Sequence, residues 1–148
     1  MTIQEKQKQI IGEFAEFDDW MDKYDLLIEL SKDLSPLEAK FKTDEFLIKA
    51  CQSRVWLVPE LIDGKLYFRA DSDAIIVKGI IALLVDVLSG REPAEIAQNE
   101  LFFIDQIGLS ENLSPTRSNG LLAMVKQMKL YALAFQAQLE KQQSNGNE

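Results

Sequence analysis

The sequence predicts an α+β fold in which helices pack around a small antiparallel sheet of two or three strands. Two strand-like runs, residues 55–58 and 65–70, flank Asp63-Gly64, a dipeptide typical of the tight turn of a β-hairpin. Residues 74–89 are apolar around most of a helical circumference, which indicates a central helix. A small sheet needs helices on one face to be stable, and amphipathic segments on both sides of these runs supply them.

The N-terminal part predicts two consecutive helices, residues 3–16 and 20–34, joined as an αα-hairpin. Thr2 and Glu5 have the spacing of a capping box at the start of the first helix. Asp18-Asp19 suits the positive end of the second helix. Their apolar residues recur at helical period and predict buried stripes formed by Ile3, Ile10, Phe14 and Phe17, and by Trp20, Tyr24, Leu27, Ile28 and Leu34.

The middle of the chain predicts a short edge strand at Leu47-Ile48, next to the hairpin, and then the central helix at residues 74–89. Asp71-Ser72-Asp73 offers caps for that helix, with capping favoured over an acid–base role for the two carboxylates. Gly79 inside the helix predicts a close approach of another backbone, and Gly90 predicts its end.

The C-terminal part predicts two short helices, residues 93–98 and 101–107, and then one long helix. Ser114 is its expected cap and Pro115 its first residue, while the tail from residue 142 is polar and expected to fray. We expect residues 1–148 to form a single domain. The predicted buried face of the last helix contains Leu121, Leu122, Val125, Met128, Tyr131, Ala132 and Phe135.

Composition excludes several classes of function. The net charge of −8 and the pI of about 4.6 argue against nucleic acid or an anionic membrane as a partner. Histidine is absent, which excludes Ser-His-Asp and Cys-His catalysis and histidine-containing zinc sites. A single cysteine can form neither an internal disulfide nor an all-thiolate metal site, so we expect no metal or cofactor.

The sequence also predicts a cytoplasmic location. The first residues lack the basic and then apolar layout of a signal peptide. The longest apolar stretch, residues 74–88, is interrupted by Lys78, Gly79 and Asp86, which argues against a membrane span. One unpaired cysteine is typical of a reducing compartment.

Cys51 is the candidate functional residue. It lies in the run 50–56, where an irregular segment gives way to a strand, and a thiol at such a junction is well placed to meet a partner. The alternative is an inert, buried cysteine that behaves as a small hydrophobic residue. Residue chemistry alone leaves both interpretations open.

Three stretches resemble motifs of the SufE family of sulfur acceptors, in the order and spacing of that family. Residues 51–56 resemble CQSxVW, residues 71–79 resemble DSDAxIVKG, and residues 114–121 resemble [ST]PxRSxGL. The resemblance covers nearly the whole chain, although Phe46 and Ala50 replace the Asn and Gly that the family often has before the cysteine. It implies a fold similar to that of iron–sulfur scaffold proteins.

The resemblance also implies a function. Cys51 would accept persulfide sulfur from a SufS-type cysteine desulfurase, stimulate that enzyme, and pass the sulfur to a downstream iron–sulfur scaffold. Pyridoxal phosphate would belong to the desulfurase, and this chain would be a carrier and activator rather than a stand-alone enzyme. Gln52, Arg54, Asp73 and Arg117 are the candidate supporting or partner-contacting residues. Whether the free protein forms a homodimer stays open.

Activation of the thiol must come from Lys or Arg, from backbone amides, or from the partner, because no histidine is available. Lys49 and Arg54 are local candidates, with solvated surface charges as the alternative, and the family motif singles out Arg117. Val55 and Trp56 are expected to shield the thiol in the free protein. Two other functions compete with the carrier: a redox-sensing or peroxidatic cysteine enzyme, and an interaction module with an inert cysteine.

Overall fold

The computed structural model describes residues 1–49 and 53–146, so the predictions for Cys51 and Gln52 lie outside the described residues. Two short 3-10 helices, Ala39–Phe41 and Ser110–Asn112, lie in the connections. The predicted α+β fold is confirmed. In chain order, the helices and strands are α1 (Ile3–Ala15), α2 (Trp20–Ser31), β1 (Val55–Ile62), β2 (Lys65–Ser72), α3 (Ile75–Leu88), α4 (Pro93–Gln98), α5 (Phe103–Gln106) and α6 (Pro115–Gly146).

The sheet is the predicted hairpin. Strands β1 and β2 pair antiparallel, from Val55 opposite Ser72 to the turn. Asp63 and Gly64 have φ angles of 52° and 80°, and positive values at both positions are what a type I′ turn requires. The predicted edge strand is present only as an isolated bridge at Leu47, so the sheet has two strands among the described residues.

Helix α3 is the centre of the molecule, as its all-round apolar sequence predicts. It packs against α2, β2 and α1. A Cβ atom added to Gly79 would overlap the carbonyl oxygen of Leu27 and lie 2.7 Å from its carbonyl carbon, so the predicted close approach of backbones is confirmed. The buried residues of α3 are Val77, Gly79, Ile80, Ile81, Leu83, Leu84, Val87 and Leu88.

The predicted caps of α3 are wrong. The residue that precedes the helix is Ala74, and no side chain caps it there. Strand β2 continues through Ser72, which places Asp71 inside the hairpin instead of at a helix end. Ser72 Oγ accepts a hydrogen bond from the amide of Ala74 at 3.2 Å, while the two carboxylates of the motif bind other groups.

The remaining helices follow the predictions with small differences. Thr2 Oγ1 accepts a hydrogen bond from the amide of Glu5, as the capping box predicts. Helix α2 ends at Ser31, earlier than expected, and Leu34 lies half-buried against the core beyond it.

Among the described residues, each helix is too short or too polar to span a lipid bilayer.

Helix α6 differs in one part of its predicted buried face. Leu122 is 62% exposed, so its assignment to that face is wrong, and Met124 is buried instead. The helix begins at Pro115 as predicted and continues through Gly146, past residue 142 where we expected fraying. Residues 141–144 are exposed.

Candidate functional site

The three motif-like stretches come together at one small cavity. Ser53 belongs to the first stretch, Val77 to the second and Arg117 to the third, and all three line a cavity of about 80 Å³. Tertiary contacts therefore join segments that are far apart in the sequence. The complete lining is Ser53, Val55, Val77, Ile80, Thr116, Arg117, Gly120 and Met124.

The residues that line the cavity are partly polar and partly apolar. Ser53, Thr116 and Arg117 are polar or charged. Val77 and Met124, both buried, are among the apolar residues. The lining therefore combines one cationic residue with buried apolar ones.

The start of α6 determines where Arg117 lies. Ser114 Oγ accepts a hydrogen bond from the amide of Arg117 at 3.2 Å, which confirms Ser114 as the cap. The helix N-terminus carries a partial positive charge, and Arg117 adds a full one. No carboxylate in residues 1–49 or 53–146 forms an ion pair with its guanidinium, and the residue is exposed.

An isolated bridge joins the residues on either side of the connection 49–54, whose sequence contains Cys51. Leu47 and Trp56 form an antiparallel bridge, and the amide of Ile48 donates to the carbonyl oxygen of Val55 at 2.8 Å. Residues 47–48 and 55–56 are thus paired with each other. The chain before this connection is therefore held against the start of β1.

Asp73 joins Arg54, which directly precedes β1, to the connection between β2 and α3. Its carboxylate accepts a hydrogen bond from the amide of Arg54 at 3.0 Å, and its own amide donates to the Arg54 carbonyl oxygen at 3.3 Å. Both residues are exposed. The predicted capping role of Asp73 is replaced by this two-way contact, which brings two of the candidate site residues together.

Asp71 is a buried carboxylate between two lysines. Its oxygens lie 3.1 Å from Lys42 Nζ and 3.2 Å from Lys78 Nζ, and the amide of Ser72 donates to it at 2.8 Å. Burial raises the pKa of Asp71, but the Ser72 amide and the two ammonium groups outweigh it and hold the pKa below its ordinary value of 3.8. The carboxylate is therefore ionised at neutral pH and joins β2 to Lys42 and to Lys78 of α3.

The side chains that were expected to act near the thiol differ in exposure and in contacts. Lys49 and Arg54 are exposed. Val55 is buried and lines the cavity, whereas the ring of Trp56 lies 5.4 Å from Lys42 Nζ and is not part of that lining. The expectation that Val55 and Trp56 shield Cys51 concerns a residue outside the described ranges and stays a prediction.

Sequence reasoning missed three residues of this region: Lys42, Thr116 and Met124. Thr116, Gly120 and Met124 are spaced by four residues, so helical periodicity from Arg117 would have predicted which face of α6 meets the cavity. No local pattern in the sequence marks Lys42, because the two residues that it contacts, Trp56 and Asp71, lie further along the chain in β1 and β2.

The fold and the site define an α+β protein with a small, partly cationic cavity that adjoins the sequence motif of its single cysteine. The family model described as the Fe-S metabolism associated domain, SufE, matches residues 8–132. This chain belongs to the SufE family, which confirms the resemblance seen in the three stretches.

Several relatives extend the match over most of the chain. An uncharacterized SufE-like protein of Rhizobium etli is 43% identical over 126 residues, covering 82% of this chain and 85% of that protein. An uncharacterized SufE-like protein of Synechocystis is 35% identical, with coverage of 91% and 85%. SufE-like protein 1, chloroplastic/mitochondrial, of Arabidopsis thaliana is 37% identical over 95% of this chain but only 38% of its own length.

The fold is shared with a solved structure. The solution structure of a hypothetical protein from Thermus thermophilus matches with a TM-score of 0.72, covering 87% of this chain and 94% of that one. Sequence identity between the two is 21%, so this similarity supports the arrangement of helices and strands alone.

Proposed function

We propose that this protein is a sulfur acceptor and carrier for iron–sulfur cluster assembly, with Cys51 as the residue that holds the sulfur. The observation that carries the proposal is the meeting of the three family stretches at one cavity. Ser53, which lines that cavity, follows Cys51 by two residues in the sequence. Membership of a family associated with Fe–S metabolism supports the same function.

The proposed reaction is an exchange at sulfur. The Cys51 thiolate attacks the terminal sulfur of a persulfide on a cysteine desulfurase. A new S–S bond forms on Cys51 while the S–S bond of the donor breaks, and the donor cysteine leaves as a thiolate. The transferred sulfur keeps its oxidation state, so neither an oxidant nor a reductant is needed.

We assign Arg117 an electrostatic role in this step. An ordinary cysteine is only a few per cent thiolate at neutral pH, so the attacking sulfur needs a nearby positive charge or the help of the partner. Arg117 lines the cavity together with Ser53, and the partial charge of the α6 N-terminus has the same sign. These groups favour an anionic sulfur at this position.

The partner we propose is a SufS-type desulfurase, which would hold the pyridoxal phosphate and would be stimulated when its product sulfur is removed. Arg54, Asp73 and Arg117 are exposed around the site, and Gln52 belongs to the same motif as Cys51. The sulfur would then pass to a downstream iron–sulfur scaffold. A working free thiol requires a reducing compartment, so we propose the cytoplasm.

Intact mass spectrometry tests the proposal directly. The protein is mixed with a SufS-type desulfurase and free cysteine, and its mass is measured before and after treatment with a reducing agent. We expect a gain of one sulfur atom that the reducing agent removes and that Cys51→Ser abolishes. Cys51→Ser is also expected to remove the stimulation of desulfurase turnover.

Two results would overturn this function. If Cys51→Ser stimulates the desulfurase as well as the parent protein does, Cys51 is inert and the chain is an interaction module. If the protein takes up no sulfur but consumes peroxide rapidly through Cys51, it is a peroxidatic enzyme.

A further inference from the structure

Helix α6 presents a line of apolar side chains to solvent. Leu122 is 62% exposed, Leu130 47% and Leu133 53%, and Ala137 is exposed as well. Helical residues three or four positions apart share a face, so Lys126 completes a line that runs from residue 122 to residue 137. Single exposed leucines are ordinary on a protein surface, whereas a continuous line of apolar side chains indicates a contact surface.

The line has the spacing of a coiled-coil seam. From Lys126 to Glu140 the steps are four, three, four and three residues, which is the alternation that lets two helices pack along one face. All the residues on this line are exposed. We call it the outer stripe and define it as residues 122, 126, 130, 133, 137 and 140.

The outer stripe takes no part in the core or in the candidate site. Met124, which lines the cavity, is two residues from Leu122 and from Lys126, so it lies nearly on the opposite side of the helix. Met128 and Ala132 follow Met124 at intervals of four residues and are buried in the core. A molecule bound to the outer stripe therefore leaves the cavity uncovered.

The stripe carries opposite charges on the two sides of its leucines. Lys126 precedes Leu130 and Leu133, and Glu140 follows them. Within residues 1–49 and 53–146, neither charge forms an ion pair. A second copy of the stripe in antiparallel orientation brings each lysine towards the glutamate of the other copy, whereas a parallel copy brings like charges together.

An antiparallel register follows from the positions of the leucines. When Leu130 of each copy lies opposite Leu133 of the other, Lys126 is level with Ala137 of the other copy. Glu140 is three residues further on, about 4.5 Å along the helix axis, which a lysine side chain can span. The leucines then form the centre of the contact, and one charge pair lies on each side of it.

We propose that the outer stripe of α6 is a self-association surface, on which a second copy of this chain binds through its own outer stripe in antiparallel orientation. The leucines supply the apolar contact, and Lys126 with Glu140 determines the orientation. One helix face from each copy buries less than the roughly 1,200 Å² of a stable complex. We therefore expect a weak dimer, with a Kd of about 10 to 100 μM.

The surface is a feature of this chain more than of its family. The family match ends at residue 132, and the outer stripe continues beyond it with Leu133, Ala137 and Glu140. Half of the proposed contact is therefore formed by residues that the family model does not include.

Sedimentation velocity of the full chain tests the proposal at concentrations from about 5 μM to about 500 μM, which bracket the expected Kd. We expect the parent protein to change from monomer to dimer over this range. Leu133→Glu should weaken the dimer by about tenfold or more, because it places a charge in the apolar centre. Met21→Glu makes the same kind of change at a methionine of α2 that is 69% exposed, and it should match the parent protein.

Charge exchange tests the orientation. Lys126→Glu and Glu140→Lys should each weaken the dimer by about tenfold, because each creates two contacts between like charges. The double variant restores both pairs and the net charge, so its Kd should return to that of the parent protein. Lys8→Glu alters the net charge as Lys126→Glu does, at an exposed position on α1, and should leave the Kd unchanged.

Three results would overturn the proposal. The first is a parent protein that stays monomeric over the whole range; if Leu133→Glu then also lowers the stimulation of a desulfurase, the stripe binds that enzyme and not a second copy. The second is a dimer that Leu133→Glu leaves as strong as in the parent protein. The third is a double variant that remains as weak as the single ones, which excludes the antiparallel pairing.

Discussion

Asp71 carries a buried negative charge between two lysines: Lys42 precedes the hairpin in the sequence, and Lys78 follows it. Burial raises its pKa, but the hydrogen bond from Ser72 and the two ammonium groups outweigh burial, so the pKa lies below 3.8. A carboxyl group whose pKa is depressed in the folded state stabilises the fold above its unfolded pKa. That contribution is lost as the pH falls through the folded pKa.

Asp71→Asn therefore has an effect on stability that depends on pH. We expect the variant to have a lower free energy of unfolding than the parent protein at neutral pH, and the difference to shrink once the pH is well below 3.8. Urea denaturation across this range measures it. Asp25→Asn, on the exposed face of α2, is the control and should show no such trend. An equal loss for Asp71→Asn at neutral and acidic pH would contradict the assignment.

At the scale of elements, the contact between α2 and α3 depends on one missing side chain. Gly79 of α3 lies so close to the Leu27 backbone that an added Cβ would be 2.7 Å from its carbonyl carbon and nearer still to its oxygen. These atoms are backbone, which cannot rotate away as a flexible side chain would. The crossing of these two helices therefore requires glycine.

Gly79→Ala and Gly12→Ala are expected to have opposite effects. The first forces α2 and α3 apart and should lower the free energy of unfolding by about 3 kcal/mol or more. The second is in α1, where the added Cβ would have no atom within 4 Å beyond the neighbouring backbone of its own helix. It should raise the free energy of unfolding by about 1 kcal/mol through helix propensity. Chemical denaturation of both variants checks this. If both substitutions changed the free energy of unfolding by similar small amounts, α2 and α3 would be able to move apart without cost, and this account would be wrong.

At the scale of the whole molecule, α6 extends beyond the body that it stabilises. Among residues 115–144, the last buried one is Ala132, and Phe135 is partly buried against the core. Residues 141–144 are exposed, and the family match ends at residue 132. Residues 141–144 of the helix therefore contribute little to the core.

Two shortened chains test how much of α6 the fold needs. A chain of residues 1–140 should unfold within about 0.5 kcal/mol of the full chain, because residues 141–144, the removed residues whose side chains the structure describes, are all exposed. A chain of residues 1–130 loses Tyr131, Ala132 and Phe135 and should be less stable by about 3 kcal/mol. Thermal or urea unfolding distinguishes them, and equal losses in the two chains would contradict this account.

Local signals in the sequence determined the elements of this protein. Helical periods, the Asp63-Gly64 turn and Ser114-Pro115 at the start of α6 depend on residues a few positions apart, so the chain itself carries them. The family stretches likewise identified Arg117 and the segment around Cys51 as the region of interest, since each is a contiguous run of residues.

Tertiary structure alone decided which groups these residues contact. Asp71 and Asp73 have the sequence of helix caps, but β2 runs through Asp71. Asp71 therefore binds Lys42 and Lys78. Asp73 binds the backbone of Arg54. Tertiary structure alone also decided that the three family stretches line one cavity. Ion pairs and cavities form between segments distant in sequence, and no local pattern encodes where the packing of α3 and the hairpin will bring such segments together.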